Sequence, residues 1–593
     1  MATVASPVSP VDVLHRIFGF TEFRGQQEQV VTRVLQGKRT LAVMPTGAGK
    51  SLCYQLPAVM MDGTCVVISP LIALMHDQMR AADAVGIRAA TLTSVDENRA
   101  ETIARFRSGD LDLLYVAPER ASGQDFRSLL REARVSLFAI DEAHCVSEWG
   151  HDFRPDYRLL RPLMDDFADV PRIALTATAD AHTRDDIASQ LGIPDDGVMV
   201  AGFDRPNIRY AATLGTTGGI AALVKGLEGA GIIYAQTRDR TEKIAAQIAA
   251  TGRRARYYHA GMDPRDRASA QSEFVSSEDM VMVATVAFGM GIDKPDVRFV
   301  VHAGLPKSIE SYYQESGRAG RDGDPAVAHM LWSPGDFTRA RDRLGDLPPD
   351  RMQADLARIA TLSTLVETPG CRRAVLLRHF GEDPPENCGN CDNCLNAPAV
   401  HDVTELARKL LSAAYRTGQM FGMGHLEKVL TGAHDDRVIQ HGHDQLTVSG
   451  IVGKDEAHLL KPLARSLQAR GALTANSHGG LKLTGDARAI MRGEQKIEIA
   501  LTQLQGKRGQ RNTANPLGDP LFEALRAKRR ELAEEAGVPP YVIFHDATLR
   551  EMAAVRPRSI AALGRIGGVG SRKLEAYGAA FLEVIGQFDN RSD

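Results

Sequence analysis

The residues with the clearest chemical capacity lie in the segment Met44–Ser51, which reads Met-Pro-Thr-Gly-Ala-Gly-Lys-Ser. The apolar run Thr40–Val43 precedes it, and the residues after Ser51 can open a helix. A strand, a glycine-containing loop, a Lys-Ser pair and a helix are the layout of a loop that binds phosphates through main-chain N–H groups. We predict that Lys50 reaches the β- and γ-phosphates of ATP and that the Ser51 hydroxyl ligates Mg²⁺. The other ATP contacts predicted in this loop are Thr46, Gly47 and Gly49.

One position departs from the full pattern of a phosphate-binding loop. A glycine is usual five residues before Gly49, and this chain has Met44 there. The alternative interpretation is therefore a plain glycine-rich turn between a strand and a helix, and other motifs must decide between the two.

A second candidate is the acidic pair Asp141-Glu142, which directly follows the apolar run Val135–Ile140. Carboxylates at the end of a buried strand are unfavourable unless a cation or a reaction makes use of them. With the phosphate loop on a neighbouring strand, Asp141 is predicted to hold Mg²⁺, and Glu142 to orient or deprotonate the attacking water. The alternative is an acidic helix N-terminus that the helix dipole stabilises.

Two arginines, Arg318 and Arg321, stand three residues apart with small residues between them. This spacing puts both on one helical face or turn. We predict that they reach a neighbouring site and neutralise the charge that develops on a transferring phosphoryl group. A solvated basic turn is the alternative.

The adenine base needs a partner that both donates and accepts hydrogen bonds, and a glutamine amide does both. Gln27, in the segment Phe18–Gln27, is the candidate, and Arg24 of the same segment is a further predicted ATP contact. A surface glutamine at the start of a helix is the alternative for Gln27.

Aromatic and basic residues follow the acidic pair in the segment Cys145–Pro155. Nucleic-acid bases stack on aromatic rings and guanidinium planes, and arginine also holds phosphates. The alternative is aromatic packing beneath a loop. A second glycine-containing loop begins at Thr285, directly after a predicted strand. Its glycines would let the protein main chain come close to a phosphodiester backbone. The predicted DNA contacts in these two loops are Trp149, His151, Phe153, Arg154 and Thr285.

A tight thiolate array is formed by Cys388, Cys391 and Cys394, and Cys371 lies seventeen positions before the first of them. Four cysteines suit a closed, tetrahedral Zn²⁺ site. An iron–sulfur cluster is the competing functional interpretation, and free buried cysteines are the third.

Two sets of elements must position these residues. Short continuous apolar runs alternate with helical patterns in each half of the first 330 residues, which predicts two parallel sheets with helices on both faces. Ligands of such sheets bind at the carboxyl ends of the strands, where the polar motifs lie. The predicted strands are Thr40–Val43, Cys65–Ile68, Leu111–Val116, Val135–Ile140 and Arg172–Leu175 in the first lobe, and Gly231–Tyr234, Arg256–His259, Val281–Ala284, Arg298–Val301 and Ala326–Leu331 in the second.

The composition of the chain limits the class of protein to which it can belong. The chain has 593 residues, 44% of them hydrophobic, and a net charge of −3, which is typical of a folded multidomain protein and does not by itself indicate nucleic-acid binding. The sequence contains no apolar run of about 18 residues, and its N-terminal residues lack the basic and apolar regions of a signal peptide. We therefore expect no membrane contact, a cytoplasmic location and, with seven cysteines, no disulfide framework.

A set of motifs in a fixed order carries a family resemblance: FRGQQ, MPTGAGKS, SPLIALMHDQ, DEAHCVSEWGHDFRP, ALTATA, ATVAFGMGIDKPDVRFVVH and ESYYQESGRAGRDG. The set resembles the superfamily-2 helicase core, and the aromatic loop after DEAH resembles the RecQ family of DNA helicases rather than RNA helicases. Phosphate loops of that superfamily often lack the first glycine, which accounts for Met44. The resemblance favours zinc over an iron–sulfur cluster. Tyr234–Arg238 departs from the family pattern in its middle residues.

The C-terminal third completes the resemblance. Two alternating runs around His478-Gly479-Gly480 predict a hairpin, and helices with a terminal hairpin indicate a winged helix, as in the family. His478 is predicted to contact DNA, either as a wedge between base pairs or as an ordinary turn residue. The residues from Pro516 onward are similar to the HRDC domain of RecQ proteins.

The resemblance implies an α/β fold of two RecA-like parallel-sheet lobes followed by a zinc module, a winged helix and a small all-α HRDC domain. The expected boundaries are a flexible tail (1–11), lobe 1 (12–202), lobe 2 (203–334), the zinc module (335–398), the winged helix (399–505), a linker (506–515) and the HRDC domain (516–593).

The expected activity is ATP-dependent 3′→5′ unwinding of DNA in repair and recombination, with Mg²⁺ and structural Zn²⁺ as cofactors. The expected partners are single-stranded and duplex DNA, a single-strand-binding protein and recombination proteins, and the protein is expected to act as a monomer at the nucleoid. The alternatives are an ATP-gated DNA-binding or strand-annealing protein without productive unwinding, and an RNA helicase, which the aromatic loop and C-terminal modules disfavour.

Overall fold

The computed structural model describes residues 9–93, 96, 98–147, 154–215, 217–288, 294–344, 349–475, 480–501 and 519–589. Within these ranges the chain forms two parallel sheets with helices on both faces, as predicted, followed by helical modules.

The first lobe is built on a sheet of seven described strands in the order β3-β4-β2-β5-β6-β1-β7. All pairings are parallel. The five predicted strands are confirmed to within two residues at each end, and β3 and β7 are additional. The strands are β1 (Thr40–Val43), β2 (Thr64–Ile68), β3 (Ala89–Leu92), β4 (Leu113–Val116), β5 (Val135–Ile140), β6 (Arg172–Thr176) and β7 (Val198–Val200).

The strand order corrects one detail of the predicted site. The phosphate loop follows β1 and the acidic pair follows β5, but β6 lies between these strands, so they are not neighbours. The two motifs are therefore separated by two strand spacings, about 10 Å. The end of β6, Thr176, fills the space between them.

Helices cover both faces of this sheet because its strands are apolar on both sides. Leu41 and Val43 pack into one buried cluster, and Ala42 and Met44 into the other. The helical segments of the lobe are Pro10–Val13, Leu14–Phe18, Gln27–Leu35, Leu52–Met60, Ile72–Ala84, Arg99–Ser108, Pro118–Ala121, Gln124–Arg131, Ala143–Val146, Pro155–Arg158, Leu160–Asp165, Ala181–Leu191 and Asp195–Gly197.

The second lobe has a sheet of six described strands, all parallel, in the order β10-β11-β9-β12-β13-β8. Five of them were predicted, and β8 is additional. The strands are β8 (Ile208–Leu214), β9 (Ala230–Ala235), β10 (Ala255–Tyr258), β11 (Val281–Ala284), β12 (Val297–Ala303) and β13 (Ala326–Trp332). The helical segments are Thr217–Gly219, Ile220–Lys225, Arg238–Ala249, Pro264–Ser276, Val286–Phe288 and Ile309–Ser316.

Helices follow the second lobe and bring the four clustered cysteines together. They are Pro334–Asp342, Pro349–Glu367, Arg372–His379 and Asp392–Leu395. Helix Arg372–His379 begins directly after Cys371, whose sulfur accepts a hydrogen bond from the Ala374 N–H (3.4 Å).

The next module is a helical core closed by two antiparallel strand pairs, which is the predicted winged-helix architecture. The predicted hairpin is present as β15 (Leu473–Ala475) and β16 (Leu481–Leu483), while the additional pair β14 (Ala399–Asp402) and β17 (Glu498–Leu501) joins its two ends. The helical segments are Thr404–Arg416, Met423–Thr431, Asp436–Gln440, His443–Gln445, Ala457–Leu459, Leu460–Ala469 and Ala487–Met491.

The C-terminal domain is all helical in its described part and packs around its own apolar cluster. Its helices are Pro520–Ala536, Pro540–Ile543, Asp546–Val555, Ile560–Leu563 and Ser571–Asp589. The glycine turn before the last of them docks on the first lobe, where the Gly568 N–H donates to the Gly19 carbonyl (2.9 Å). In the described residues no helix combines the length and apolarity that a membrane crossing needs.

Candidate ATP site and metal centre

The phosphate loop follows β1 and leads into the helix Leu52–Met60. Gly47 and Gly49 both have positive φ (86° and 72°), a conformation that side chains disfavour, so glycines are required at both positions. Met44 is 2% exposed, and its sulfur lies 3.9 Å from Cys53 Sγ. The residue that departs from the usual glycine therefore serves as part of the core.

The ammonium group of Lys50 lies over this loop, donating hydrogen bonds to the carbonyls of Met44 (3.2 Å) and Pro45 (3.4 Å). It is also close enough to Asp141 to lower the pKa of that carboxyl group, against the stronger effect of burial. A cation on a long side chain above a loop of N–H groups is suited to contact the phosphates of a nucleotide.

Gln27 is 4% exposed and is tied to the loop rather than to the surface. Its Nε2 donates to the Ala48 carbonyl (2.9 Å) and the Gly49 carbonyl (3.3 Å), and its Oε1 accepts from the Arg24 N–H (2.9 Å). A Cβ on Gly49 would lie 2.6 Å from Nε2, so glycine is also needed to admit this side chain. The alternative of a surface glutamine is wrong, and the predicted contact with adenine stays a prediction.

Asp141 ends β5 in a pocket of polar side chains. Gln78 Nε2 donates to its carboxylate (3.3 Å), and Gln78 in turn accepts from the Tyr54 hydroxyl (3.0 Å). Asp141 is 6% exposed, and burial, reinforced by the charge of Glu142, raises the pKa of Asp141 to about 7. A buried carboxylate with a strongly shifted pKa at the end of a strand is typical of a functional site, and its charged form can bind a cation.

Glu142 has a φ of 48°, in the left-handed region, which is unusual for a residue with a side chain. Its carboxylate lies 3.3 Å from Nδ1 of the fully buried His144, and the same nitrogen lies 3.0 Å from the Thr176 hydroxyl. This network links the acidic pair to the end of β6. Strain of this kind persists where surrounding contacts hold it, and it is frequent at active sites.

The second lobe brings Arg318 and Arg321 to the phosphate loop. Helix Ile309–Ser316 ends in a turn, and a Cβ on Gly47 would lie only 3.4 Å from the Arg321 Cα. Arg318 is 5% exposed, and its charge opposes the burial that raises the pKa of Tyr234 to about 12. Both predicted arginines thus lie at the junction of the lobes and not on a solvated turn.

Two residues at the site have contacts that could not be predicted from the sequence. Gln78 lies within the quoted motif SPLIALMHDQ, but its contact with Asp141 depends on the fold. Arg205, between the lobes, is 8% exposed and donates a hydrogen bond to the Thr46 carbonyl (2.6 Å). The only hint for Arg205 is its position in the Asp-Arg-Pro-Asn segment that joins the two sheets.

The metal centre consists of Cys371, Cys388, Cys391 and Cys394, whose sulfurs all lie within 4.8 Å of one another. Tetrahedral Zn–S bonds of about 2.3 Å place sulfurs about 3.8 Å apart. The Cys388–Cys394 and Cys371–Cys391 sulfur distances are 3.9 and 4.0 Å. Main-chain N–H groups also point at the Cys388 sulfur, as expected for a thiolate. The donor set therefore fits structural Zn²⁺.

The predicted DNA contacts are only partly described. Trp149, His151, Phe153 and His478 lie outside the described residues. Arg154 donates to the Pro70 carbonyl of the first lobe (2.9 Å). Thr285 lines a cavity of about 490 Å³ between the second lobe and the helices that follow it, together with Gln236, Lys307, Arg343 and Arg358.

Comparisons with known proteins agree with this arrangement. Five family models match in order along the chain: DEAD/DEAH box helicase (24–187), helicase conserved C-terminal domain (220–323), RecQ zinc-binding (334–395), RQC domain (397–508) and HRDC domain (519–585).

Three curated relatives match along almost their whole length. The ATP-dependent DNA helicase RecQ of Pasteurella multocida is 41% identical, covering 97% of this chain and 93% of the relative. The Haemophilus influenzae protein of the same name is 40% identical (99% and 97%), and that of Bacillus subtilis 37% (98% and 99%). Because the matching modules, the four-cysteine centre and the two-lobed site all occur in one chain, this protein belongs to the RecQ family of superfamily-2 helicases.

Proposed function

We propose that this protein is an ATP-dependent DNA helicase that moves 3′→5′ along one strand and unwinds duplex DNA in repair and recombination. The observation that carries the proposal is the contact between Gly47 of the first lobe and Arg321 of the second. A nucleotide held at this junction touches both lobes, so that binding and hydrolysis change how the lobes fit together.

Each residue of the junction has a proposed role in hydrolysis. The loop N–H groups and Lys50 hold the phosphates, and Glu142 orients or deprotonates the attacking water. Arg318 and Arg321 stabilise the negative charge on the transferring phosphoryl group. Ser51 and Asp141 would hold Mg²⁺, which would neutralise phosphate charge.

The DNA strand is proposed to follow the loops after the strands of both lobes. The aromatic residues of 149–153, with Arg154 and Thr285, would hold it by stacking and phosphate contacts. The basic and polar residues in the cavity beside Thr285 support this path. The winged helix would hold the duplex ahead of the point where the DNA strands separate, and His478 of its predicted hairpin would contact the DNA there.

Strand displacement tests the proposal directly. A DNA duplex with a 3′ tail, one with a 5′ tail and an RNA duplex are each offered to the full-length protein with ATP or a non-hydrolysable analogue. We expect release only from the 3′-tailed DNA, only with ATP, and loss of release in Lys50→Ala. Lys38→Ala, an exposed lysine of the same lobe, is the matched control.

Other outcomes of that assay would contradict the proposal. Release without hydrolysis, or DNA-stimulated hydrolysis without any release, would indicate an ATP-gated binding or annealing protein. Preferred release of the RNA duplex would indicate an RNA helicase.

We propose that the protein acts as a monomer in the cytoplasm, associated with the nucleoid, and that it meets a single-strand-binding protein and recombination proteins on DNA. Analytical ultracentrifugation with and without a tailed duplex tests the monomeric state.

A further inference from the structure

Arg205 lies where the chain passes from the first sheet to the second, between β7 and β8. Its side chain is buried, with 8% of the residue exposed. A buried guanidinium group is unfavourable unless its N–H groups are satisfied. The identity of its partners therefore indicates what it does.

The guanidinium group makes four hydrogen bonds to main-chain carbonyls on opposite sides of the ATP site. Nη1 donates to Thr46 of the phosphate loop (2.6 Å) and to Gly317 (3.1 Å). Nη2 donates to Ala319 (3.0 Å) and Gly320 (2.9 Å). The first partner belongs to lobe 1, and the other three enclose Arg318 and precede Arg321 in lobe 2.

This arrangement uses the side of each loop that faces away from the nucleotide. In a phosphate-binding loop the N–H groups point inward, so carbonyls such as that of Thr46 are available on the outside. The planar fork of arginine can hold two pairs of carbonyls in a fixed relation, which the single ammonium group of lysine cannot do.

The neighbouring residues fix Arg205 in turn. Asn207 donates to the Gly320 carbonyl and the Asp324 carbonyl, both at 2.8 Å. On the other side, Arg373 and Asn390 of the zinc module donate to the Pro206 carbonyl, at 3.0 and 3.1 Å. The segment that carries Arg205 is therefore held by lobe 2 and the zinc module together.

We propose that Arg205 is a positioning residue for ATP hydrolysis, which aligns the phosphate loop with Arg318 and Arg321 when the lobes close. It does not touch the nucleotide and acts through the main chain of both loops. Displacements of about 1 Å in a catalytic group can lower rates by about 100-fold, so loss of this alignment should slow ATP hydrolysis.

The test is a comparison of Arg205→Lys and Arg205→Ala with the exposed surface variant Arg107→Ala, all in the full-length protein with saturating single-stranded DNA. Because the phosphate contacts themselves remain, we expect Arg205→Lys to lower kcat for ATP by about 10- to 100-fold and to change KM by less than about threefold. We expect its Tm to fall, because lysine satisfies fewer of the buried carbonyls, while the protein stays folded at the assay temperature, and we expect Arg107→Ala to leave kcat and KM unchanged.

A double-variant comparison separates positioning from general stability. If Arg205 acts through Arg318 and Arg321, then Arg205→Lys should lower kcat at least about threefold less in an Arg321→Ala background than in the wild type, because one of the two groups it aligns is already missing. The same loss of kcat in both backgrounds would overturn the proposal. An unchanged kcat in Arg205→Lys, or loss of the folded state in that variant, would also overturn it.

This inference rests on the proposed function, and Lys50→Ala keeps the two separate. If Lys50→Ala retains hydrolysis, the assignment of the ATP site fails. If Lys50→Ala abolishes hydrolysis while the Arg205 variants hydrolyse ATP normally, only the role of Arg205 fails.

Discussion

Asp141 shows at the scale of one residue how this site balances stability against activity. Its carboxylate is buried at the end of a strand, with Glu142 beside it and Lys50 close by. Burial is the largest cause of the raised pKa, so the folded protein disfavours the charged form that a cation requires. This conflict is typical of a functional carboxylate and is not explained by a role in the fold.

Replacing this carboxylate should stabilise the protein while it removes activity. The pKa of Asp141 is about 7 in the folded protein, against an ordinary value of 3.8, so the folded state binds the proton more tightly, and the stability that this gives is lost as the pH rises from about 3.8 to about 7. We expect Asp141→Asn to stabilise the protein, and so to raise its Tm, by on the order of 4 kcal/mol at most at pH 8.5 and by about half as much at pH 5.5, where the folded carboxyl group is protonated but the unfolded one is charged.

Thermal unfolding at the two pH values, with ATP hydrolysis in parallel, measures this effect. The exposed Asp195→Asn is the control and should change neither quantity. An equal Tm for Asp141→Asn and wild type at pH 8.5 would show that burial does not raise the pKa of this carboxylate.

Motif residues such as Lys50 and Asp141 were predictable because their chemistry needs a fixed spacing next to a strand. Gln27 was predicted as a site residue, but its hydrogen bonds to the loop carbonyls were not. Arg205 could not be predicted, because its partners are carbonyls that lie 112 to 159 positions away and have no residue identity to recognise.

At the scale of elements, the zinc module acts as a support for the segment between the lobes. Asp392, next to the ligand Cys391, accepts hydrogen bonds from Arg372 (2.7 Å) and from the Ala212 N–H of β8 (3.0 Å). Glu382 of the same module accepts from the Phe203 N–H. The metal centre thus fixes the chain that leads to Arg205.

Loss of one thiolate should therefore affect more than the module itself. In Cys391→Ser we expect loss of about one equivalent of zinc, since four thiolates are needed to close the site, and a lower Tm, because zinc binding contributes about 10 kcal/mol or more to folding in small modules. We also expect slower ATP hydrolysis. Metal analysis and thermal unfolding check this, with Cys65→Ala, a buried cysteine of β2, as the control.

Retention of stoichiometric zinc and a normal Tm in Cys391→Ser would show that this cysteine is not a structural ligand.

Most strands were predictable because parallel strands buried on both faces appear as continuous apolar runs. The three missed strands of the lobes, β3, β7 and β8, all lie at the edge of a sheet, where one flank lacks a partner strand. The pair β14–β17 joins residues about one hundred positions apart, and local sequence carries no signal for such a pairing.

At the scale of the whole molecule, the C-terminal domain contacts both lobes. Arg529, which is 2% exposed, and Arg526 donate to Glu278 of the second lobe at 2.8 and 2.6 Å, and Arg550 forms two hydrogen bonds to Asp324. The glycine turn before the last helix lies against Gly19 of the first lobe. The net charge of −3 conceals these local pairs of opposite charge.

Removing the acidic partner that Arg526 and Arg529 share should weaken the docking of this domain on the second lobe. Breaking a buried, hydrogen-bonded charge pair costs about 2–5 kcal/mol, so we expect Glu278→Gln to speed hydrogen exchange in helix Pro520–Ala536 and to make that exchange less dependent on salt. Glu132→Gln, which breaks an exposed ion pair with Arg107, is the control. Unchanged exchange in Glu278→Gln would contradict docking through these arginines.

We propose that both lobes complete one ATP site, and the Arg321→Ala variant tests the contribution of the second lobe. In Arg321→Ala, nucleotide affinity and the kcat of DNA-stimulated hydrolysis are measured together, with a non-hydrolysable analogue for the former. We expect kcat to fall by about 100-fold or more while the dissociation constant changes by less than about threefold, because the arginine acts mainly on the transition state. A normal kcat, or an equal loss of affinity and rate, would contradict a site that is shared between the lobes.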